Sequence, residues 1–197
     1  MKKKLAIIFI IVLLGAAAAI LFGYIGGMKG ASADLEDAAG EVKKVEVKET
    51  TVKIFFGNKN LNQNPGDCKM VFPVERTVPN DLIVKRRAFE EILLGPTVTE
   101  AAQGYYSALP SKEEIINYRE NKKSETGQAP YEGDEIKINN VKTMIGMAYI
   151  DFSPEIFALA ADNCQAQMFQ AQLFETAKQF SQISGAIITV RGIEKYF

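Results

Sequence analysis

The sequence of 197 residues contains no histidine and no tryptophan. Histidine is the side chain that most often serves as a general base, a proton shuttle or a metal ligand. The sequence also has no phosphate-binding G-x-x-x-x-G-K motif, no C-x-x-C and no H-E-x-x-H. Ser107, Ser111 and Ser153 have no base partner in the sequence that could activate them as nucleophiles. We therefore expect a protein without a catalytic centre, a metal site or a cofactor.

Basic residues are not in excess either. The chain has 23 Lys and Arg against 24 Asp and Glu, for a formal net charge of −1. Three of the basic residues, Lys2 to Lys4, precede a hydrophobic segment, so the remainder is more acidic than the whole. Nucleic-acid-binding proteins usually have a clear basic excess. The charge balance therefore argues against a nucleic-acid partner.

An uncharged hydrophobic run occupies residues 5–24, directly after the three lysines. At a rise of about 1.5 Å per residue, roughly 20 residues span the hydrocarbon core of a bilayer. The positive-inside rule places the lysines in the cytoplasm and the rest of the chain outside. We predict a transmembrane signal-anchor over residues 1–25. A stalk rich in Gly, Ala, Lys and Glu is predicted over 26–49.

A cleaved signal peptide is the alternative to an anchor. Ala31-Ser32-Ala33 has the small-residue pattern of a cleavage site. The hydrophobic run is longer than the roughly 7–15 residues of a typical signal peptide, which favours the anchor. Both interpretations export residues 50–197, either on the membrane or as a secreted soluble protein.

Cys68 and Cys164 are the two cysteines of the chain, and both lie in the part predicted to be exported. An even number of cysteines in an oxidising compartment favours a disulfide. The bridge would close a loop of about 97 residues, for which the chain-entropy argument gives roughly 4–5 kcal/mol as an upper value. Two unpaired buried thiols are the alternative.

The exported part alternates predicted strands and helices. A helix from Leu82 to Leu94 follows a candidate cap at Asn80-Asp81, and Pro73 should confine its strand to a sheet edge. Polar residues 111–135 are interpreted as an exposed loop or insertion. The simplest packing is an α/β (α+β) sandwich, with two main helices on one face of a mixed sheet. The other predicted elements are strands at Thr51–Phe56, Met70–Val78, Ile136–Val141, Ile145–Phe152 and Ala186–Ile193, a helix start at Ser153-Pro154, and a helix at Asn163–Ser181.

The longest predicted helix, Asn163–Ser181, has an apolar stripe and several glutamines. Apolar residues at helical spacing are expected to face the core, and the glutamines are expected to face solvent as candidate surface contacts. The stripe comprises Ala166, Phe169, Leu173, Ala177 and Phe180, and the glutamines are Gln165, Gln167, Gln172 and Gln179.

Five segments together resemble a known family. They are IFFGN (54–58), VFPVERTVP (71–79), FEEILLGPTVTEAAQGYYSALP (89–110), AYIDFSPE (148–155) and AQLFETAKQFSQISGAIITVRG (171–192). In this order and spacing they resemble the GerMN domain, also called the sporulation and spore germination domain. The resemblance covers nearly all of the chain from Thr50 to its end, with a polar stretch between Leu109 and Ile136 that is longer than is usual for the family.

The resemblance implies structural roles for a set of motif residues. Gly95 and Pro96 should end a helix, Glu100 should accept local backbone N–H groups, and Asp151 should do the same at a strand end. Members of the family with similarly placed cysteines agree with a Cys68–Cys164 bridge. The motif set is Gly95, Pro96, Glu100, Gly104, Asp151 and Phe180.

The resemblance also implies a function. Such domains are small α/β modules on the outer face of the bacterial cytoplasmic membrane, similar to ring-building modules of secretion machines, and they act in assembling protein complexes. We expect residues 50–197 to be a non-enzymatic module held at the membrane by residues 5–24. Its expected partners are other envelope proteins or a second copy, through contact residues that the sequence does not identify. The alternative is a cell-wall ligand-binding or hydrolase domain, which would need a deep cleft with converging carboxylates.

Overall fold

The structure, a computed structural model, describes residues 48–64 and 66–195. The chain divides into two units, Met1–Glu46 and Val47–Phe197, and every described residue belongs to the second. The predicted transmembrane segment and nearly all of the predicted stalk lie outside the described residues. Within the described part, no helix is both long enough and apolar enough to cross a bilayer.

The first sheet is antiparallel and has the order β2-β1-β3, from β1 (Glu49–Asn58), β2 (Phe72–Pro79) and β3 (Tyr105–Tyr106). In β1, buried and exposed side chains alternate because successive side chains of a strand point to opposite faces. Pro73 lies on the outer strand β2, as predicted from its missing N–H.

The second sheet has the order β4-β5-β6-β7 and is mixed. It comprises β4 (Ile138–Met144), β5 (Met147–Phe152), β6 (Gly185–Val190) and β7 (Ile193–Glu194), with β5 and β6 parallel and the other pairs antiparallel. The prediction of one mixed sheet is therefore wrong, since the described strands form two.

A side chain explains why β1 does not extend the second sheet. The amide of Gln179 accepts from the Lys53 N–H and donates to the Lys53 carbonyl oxygen, both at 2.8 Å. It therefore occupies the position that a neighbouring strand would take on this edge of β1.

The helices of the described region are α1 (Val84–Leu94), α2 (Val98–Ala102), α3 (Lys112–Thr126), a 3-10 helix (Pro154–Ala161) and α4 (Asn163–Lys178). Helix α4 packs against β1 of one sheet and β6 of the other, and α1 packs against both β1 and α4. The core lies between them and includes an edge-to-face contact of Phe152 and Phe169, with ring centroids 5.6 Å apart.

Helix α3 corrects the interpretation of residues 111–135 as a loop. Ser111 and Glu114 form a reciprocal capping box, and Gly127 ends the helix with a left-handed φ of 77°. The helix is held by Ile115, which is buried and whose carbonyl accepts from the Tyr131 hydroxyl at 2.8 Å. Residues Lys112–Thr126 are therefore a helix and not a loop, but most of residues 111–135 are exposed, as expected.

The core stripe of α4 is confirmed, but one glutamine is not at the surface. Ala166, Phe169, Leu173 and Ala177 are buried and Phe180 is partly buried, whereas Gln172 is also fully buried. Because α4 contacts two sheets, more than one of its faces is covered, and the expectation that Gln172 faces solvent is wrong.

Candidate interaction surface

Arg76 on β2 connects three elements through its guanidinium group. Nη1 lies 2.6 Å from Glu91 Oε2 on α1, and Nη2 lies 2.6 Å from Glu100 Oε2 on α2. Nη2 also donates to the Gly95 carbonyl at 2.8 Å, and the guanidinium lies 5.5 Å from the Phe56 ring centroid. Burial lowers the pKa of Arg76, but its hydrogen bonds to the two carboxylates outweigh that effect and raise the pKa.

Glu100 has the local role expected from its position, together with one that the sequence did not reveal. Its Oε2 accepts from the Thr97 N–H at 2.7 Å, and the Thr97 hydroxyl accepts from the Glu100 N–H at 3.3 Å, which is a capping box. Burial raises the pKa of Glu100, but the hydrogen bonds from Arg76 and Thr97 lower it by more. Glu100 therefore stabilises the fold as a carboxylate.

The glycines of this motif take conformations that other residues rarely adopt. Gly95 follows α1 with a φ of 73° and precedes Pro96, which agrees with a helix stop. Gly104 has a φ of 93°, and a Cβ on it would lie 2.6 Å from Asn60 Nδ2. Its carbonyl accepts from the Lys59 N–H at 3.0 Å, so the glycine lets β1 and the start of β3 approach closely.

Asp151 and Phe180 have structural surroundings as well. Asp151 Oδ1 accepts from the Gly192 N–H at 2.8 Å and from the Thr189 hydroxyl at 2.9 Å, while Oδ2 accepts from Asn139. Burial raises the pKa of Asp151, but these hydrogen bonds lower it below its ordinary value. Phe180 packs against the core just after α4. The motif residues therefore join elements to one another and do not converge on one reactive centre.

Cys68 and Cys164 form a disulfide with an S–S distance of 2.03 Å. The bridge connects the loop between β1 and β2 to the first turn of α4. Asp162 caps that turn, since its Oδ1 accepts from the N–H groups of Cys164 and Gln165 at 2.8 and 3.1 Å. The predicted pairing is confirmed.

A groove of about 1000 Å³ runs between α1 and the chain from Ser107 to Ile138. Helix α1 forms one wall. Leu109, Lys112 and residues 134–138 line the other, so the polar stretch between Leu109 and Ile136 supplies part of the groove. Leu94 in this groove is 73% exposed. An exposed leucine beside half-buried aliphatic side chains gives the groove an apolar strip.

Six of the eight charged side chains that line the groove form ion pairs, whereas Glu135 and Lys137 form none with the residues that the structure describes. Arg86 Nε lies 2.7 Å from Glu90 Oε1, and Lys112 Nζ lies 2.7 Å from Asp134 Oδ2. Glu91 is held by Arg76, and the hydrogen bond from Lys112 lowers the pKa of Asp134. A general acid needs a raised pKa, and the pKa of Asp134 is lowered instead. The groove therefore fits docking better than acid catalysis.

The described residues contain no group of three or more His, Cys, Asp or Glu side chains that could hold a metal ion. The predicted contact glutamines are distributed rather than clustered. Gln165 and Gln167 are half-exposed, Gln172 is buried, and the amide of Gln179 is bound to Lys53. The glutamines therefore do not form a common surface, and the groove was missed because its two walls are far apart in sequence.

Comparisons with known proteins identify the family. The family model for sporulation and spore germination domains, Germane, matches residues 53–196. The tandem GerMN domains of the sporulation protein GerM from Bacillus subtilis are 17% identical, with a TM-score of 0.46, and the match covers 75% of this chain and 41% of that one. The first GerMN domain of the same protein is 18% identical, with a TM-score of 0.43 and coverage of 74% and 86%.

The chain thus spans 41% of the tandem-domain structure and most of the single-domain one. No curated protein matches the sequence. The family model covers well over half of the chain, so the assignment rests on it and not on the structural similarity. The chain belongs to the family of sporulation and spore germination (GerMN) domain proteins.

Proposed function

We propose that this protein is a non-enzymatic assembly module of the bacterial envelope, anchored in the cytoplasmic membrane by residues 5–24 with its GerMN domain outside. The groove beside α1 binds a segment of another envelope protein. The observation that carries this proposal is the combination of an apolar strip with charges of which most are already paired. A partner can cover the paired charges without leaving an isolated charge buried.

The disulfide and the uncharged run of residues 5–24 support the exported, anchored location. Disulfides persist mainly outside the reducing cytosol, and a run of this length suits a bilayer. The rival cell-wall hydrolase would need an acid and a base or nucleophile free to act on a substrate. The ion pairs of Glu90, Glu91 and Asp134 argue against that role for these groove carboxylates.

Photo-crosslinking in native membranes tests the docking groove. A photoreactive amino acid at Leu94, inside the groove, should give a discrete crosslinked protein band. The same residue at Val98, which is 90% exposed and does not line the groove, is the matched control and should not give that band. Protein without the photoreactive residue should compete for the partner and weaken this band. The Leu94→Asp variant of that competitor protein should leave the band unchanged. Equal crosslinking from both positions would contradict groove binding.

Thiol labelling of intact cells tests the topology. Because both native cysteines are bridged, an added cysteine at the exposed position Lys123 is a unique free thiol. A membrane-impermeant maleimide should label Lys123→Cys in intact cells, and Lys3→Cys only after lysis. Labelling of Lys123→Cys that requires lysis would refute the extracytoplasmic location.

A further inference from the structure

Two adjacent aliphatic side chains are exposed at the turn that leads into α1. Leu82 is 104% exposed relative to the reference state, and Ile83 is 46% exposed. Single exposed aliphatic residues are common on protein surfaces, but here two follow each other at a point where the chain changes direction. Neither one contributes to the core of the described domain.

The same turn lacks the cap that the sequence favours. Ile83 occupies the N-cap position of α1, and no side chain caps the helix there. Ser, Thr, Asp or Asn at this position typically adds about 1 kcal/mol of stability. Asp81, expected to cap the helix, instead accepts from the Ile83 N–H at 3.1 Å and pairs with Arg87 at 2.8 Å. The aliphatic pair therefore does not serve the stability of the helix.

The cationic side chains that flank this turn are of two kinds, since two arginines are paired with carboxylates and two lysines are not. Lys48 and Lys85 form no hydrogen bond or ion pair through their ammonium groups with the residues that the structure describes, and Lys48 is exposed. Arg86 and Arg87 follow Lys85 directly and are held by Glu90 and Asp81. Aliphatic side chains bordered by lysine and arginine are typical of surfaces that rest on anionic lipid.

This surface lies where the chain from the hydrophobic segment enters the domain. The Lys48 carbonyl accepts from the Asn80 N–H at 2.7 Å, which places the first described residue beside the turn that contains Leu82. The uncharged run of residues 5–24 precedes Lys48 in the sequence. With the anchoring proposed above, residues 25–47 connect the bilayer to this side of the domain.

We propose that the Leu82–Ile83 turn, with Lys48 and Lys85, contacts the surface of an anionic phospholipid bilayer. The two aliphatic side chains enter the boundary of headgroups and acyl chains, and the ammonium groups bind lipid phosphates. This inference rests on the proposed membrane anchoring and adds that the domain has a membrane-facing side. Since Arg86 and Arg87 also line the groove, lipid contact at the turn leaves the Leu94 end of the groove for a protein partner.

The absence of tryptophan from the chain allows a direct test. The full-length variant Leu82→Trp carries one tryptophan and is reconstituted into phosphatidylglycerol vesicles with or without bromine in the upper acyl chains. We expect the brominated lipid to reduce the emission of this tryptophan roughly twofold, because a side chain about 5–10 Å into the interface reaches that depth. Quenching should be weaker in phosphatidylcholine vesicles and should decrease with salt, since ionic attraction to phosphate contributes.

Val98→Trp is the matched control. Val98 is also an exposed aliphatic residue, but it follows the far end of α1, a helix about 15 Å long from its first to its last residue. Its emission should be the same in both lipids. Equal quenching at the two positions would overturn the proposal, because the domain would then have no preferred side.

Vesicle flotation tests the membrane anchoring separately from the contact of the Leu82–Ile83 turn with the bilayer. A Leu82→Trp protein that floats with the vesicles but shows no quenching overturns the membrane contact and leaves the anchoring intact. A protein that does not float overturns both. A blue shift of the Leu82→Trp emission without quenching by brominated lipid means that protein, such as a second copy, covers the turn, and this also overturns the proposal.

Discussion

The guanidinium group of Arg76 holds carboxylates from two successive helices, Glu91 on α1 and Glu100 on α2. Glu91 and Glu100 each approach it to 2.6 Å, and the side chains of all three residues are largely buried. Loss of one carboxylate leaves part of the buried positive charge of Arg76 uncompensated. The resulting loss of stability is larger than the net stability that the intact ion pair contributes. The position of Glu100 was visible in the sequence, but its partner 24 residues earlier was not, since only the fold brings them together.

Glu100→Gln should therefore destabilise the domain by about 1–3 kcal/mol at pH 7. Because the pKa of Glu100 is lowered in the folded state from its ordinary 4.5, the carboxylate stabilises the fold above that pH. That contribution is lost as the pH falls through the folded-state pKa. Urea unfolding of both proteins from neutral to acidic pH should show the difference in free energy of unfolding shrinking below about pH 4.5. A difference that stays constant with pH would contradict this role.

Gln172 is a buried amide whose nitrogen and oxygen both lack a hydrogen-bond partner among the described residues, as does the hydroxyl of Thr176 one turn later. An unsatisfied buried polar group costs about 1–3 kcal/mol. Gln172→Met, which has a similar shape, should raise the free energy of unfolding by about 1 kcal/mol. Gln167→Met at a half-exposed position of the same helix should have little effect. Denaturant titration checks both, and a destabilised Gln172→Met would show that the amide has a polar partner in solution.

At the scale of elements, α3 shows what sequence patterns can and cannot reveal. Its start and end were marked by Ser111-x-x-Glu114 and by Gly127. They were overlooked because Ile115 is the one buried residue of the helix, so the helical apolar period is almost absent. Such a helix is stabilised by caps and by contacts with neighbouring chain, including the Tyr118–Tyr131 stack with centroids 6.5 Å apart.

Removal of the cap should therefore affect α3 strongly. Ser111→Ala is expected to lower the free energy of unfolding by about 1 kcal/mol. Ser124→Ala, inside the same helix, should be neutral or stabilising because alanine has the higher helix propensity. Hydrogen exchange of the α3 amides, together with denaturant unfolding, measures both effects. Similar behaviour of the two variants would mean that the capping box does not stabilise the helix.

The strands illustrate the same distinction between local and distant information. Most strands were predicted within a few residues, since alternating or β-branched segments bounded by turns are local patterns. The division into two sheets was not predicted. It depends on α4 packing against both β1 and β6 and on the Gln179 amide that caps the edge of β1. The contacts of α4 and Gln179 with β1 join residues more than a hundred positions apart.

At the scale of the whole molecule, the disulfide joins two distant parts of the domain. Cys68 and Cys164 are 96 positions apart, and their bridge restricts the unfolded chain over most of the domain's length. Cys68→Ser should lower the free energy of unfolding by about 2–5 kcal/mol. It should also abolish the mobility shift on non-reducing gels. Cys164→Ser should behave alike, and full stability of either variant under oxidising conditions would contradict the prediction.

Phe169 tests whether the core is continuous between the two sheets. It is completely buried on α4, and its ring meets Phe152 of the second sheet. Phe169→Asp should unfold the domain, because an unpaired charge would be buried. Phe174→Asp, on the same helix but 41% exposed, should leave the domain folded. Near-ultraviolet circular dichroism and thermal unfolding measure the outcome, and a folded Phe169→Asp variant would mean that the register of α4 is wrong.

The central position of β1 in the first sheet has a mechanical consequence for a tethered domain. Lys48 leads directly into β1, and β2 pairs with this strand from Glu49 to Phe56, while β3 pairs with its far end. A force transmitted along the chain from its N-terminal side therefore pulls the strand lengthwise, and many ladder hydrogen bonds share the load at once. A strand peeled from its end would break them one after another. With the anchoring proposed above, a domain built in this way should resist unfolding by tension on the chain that precedes Lys48.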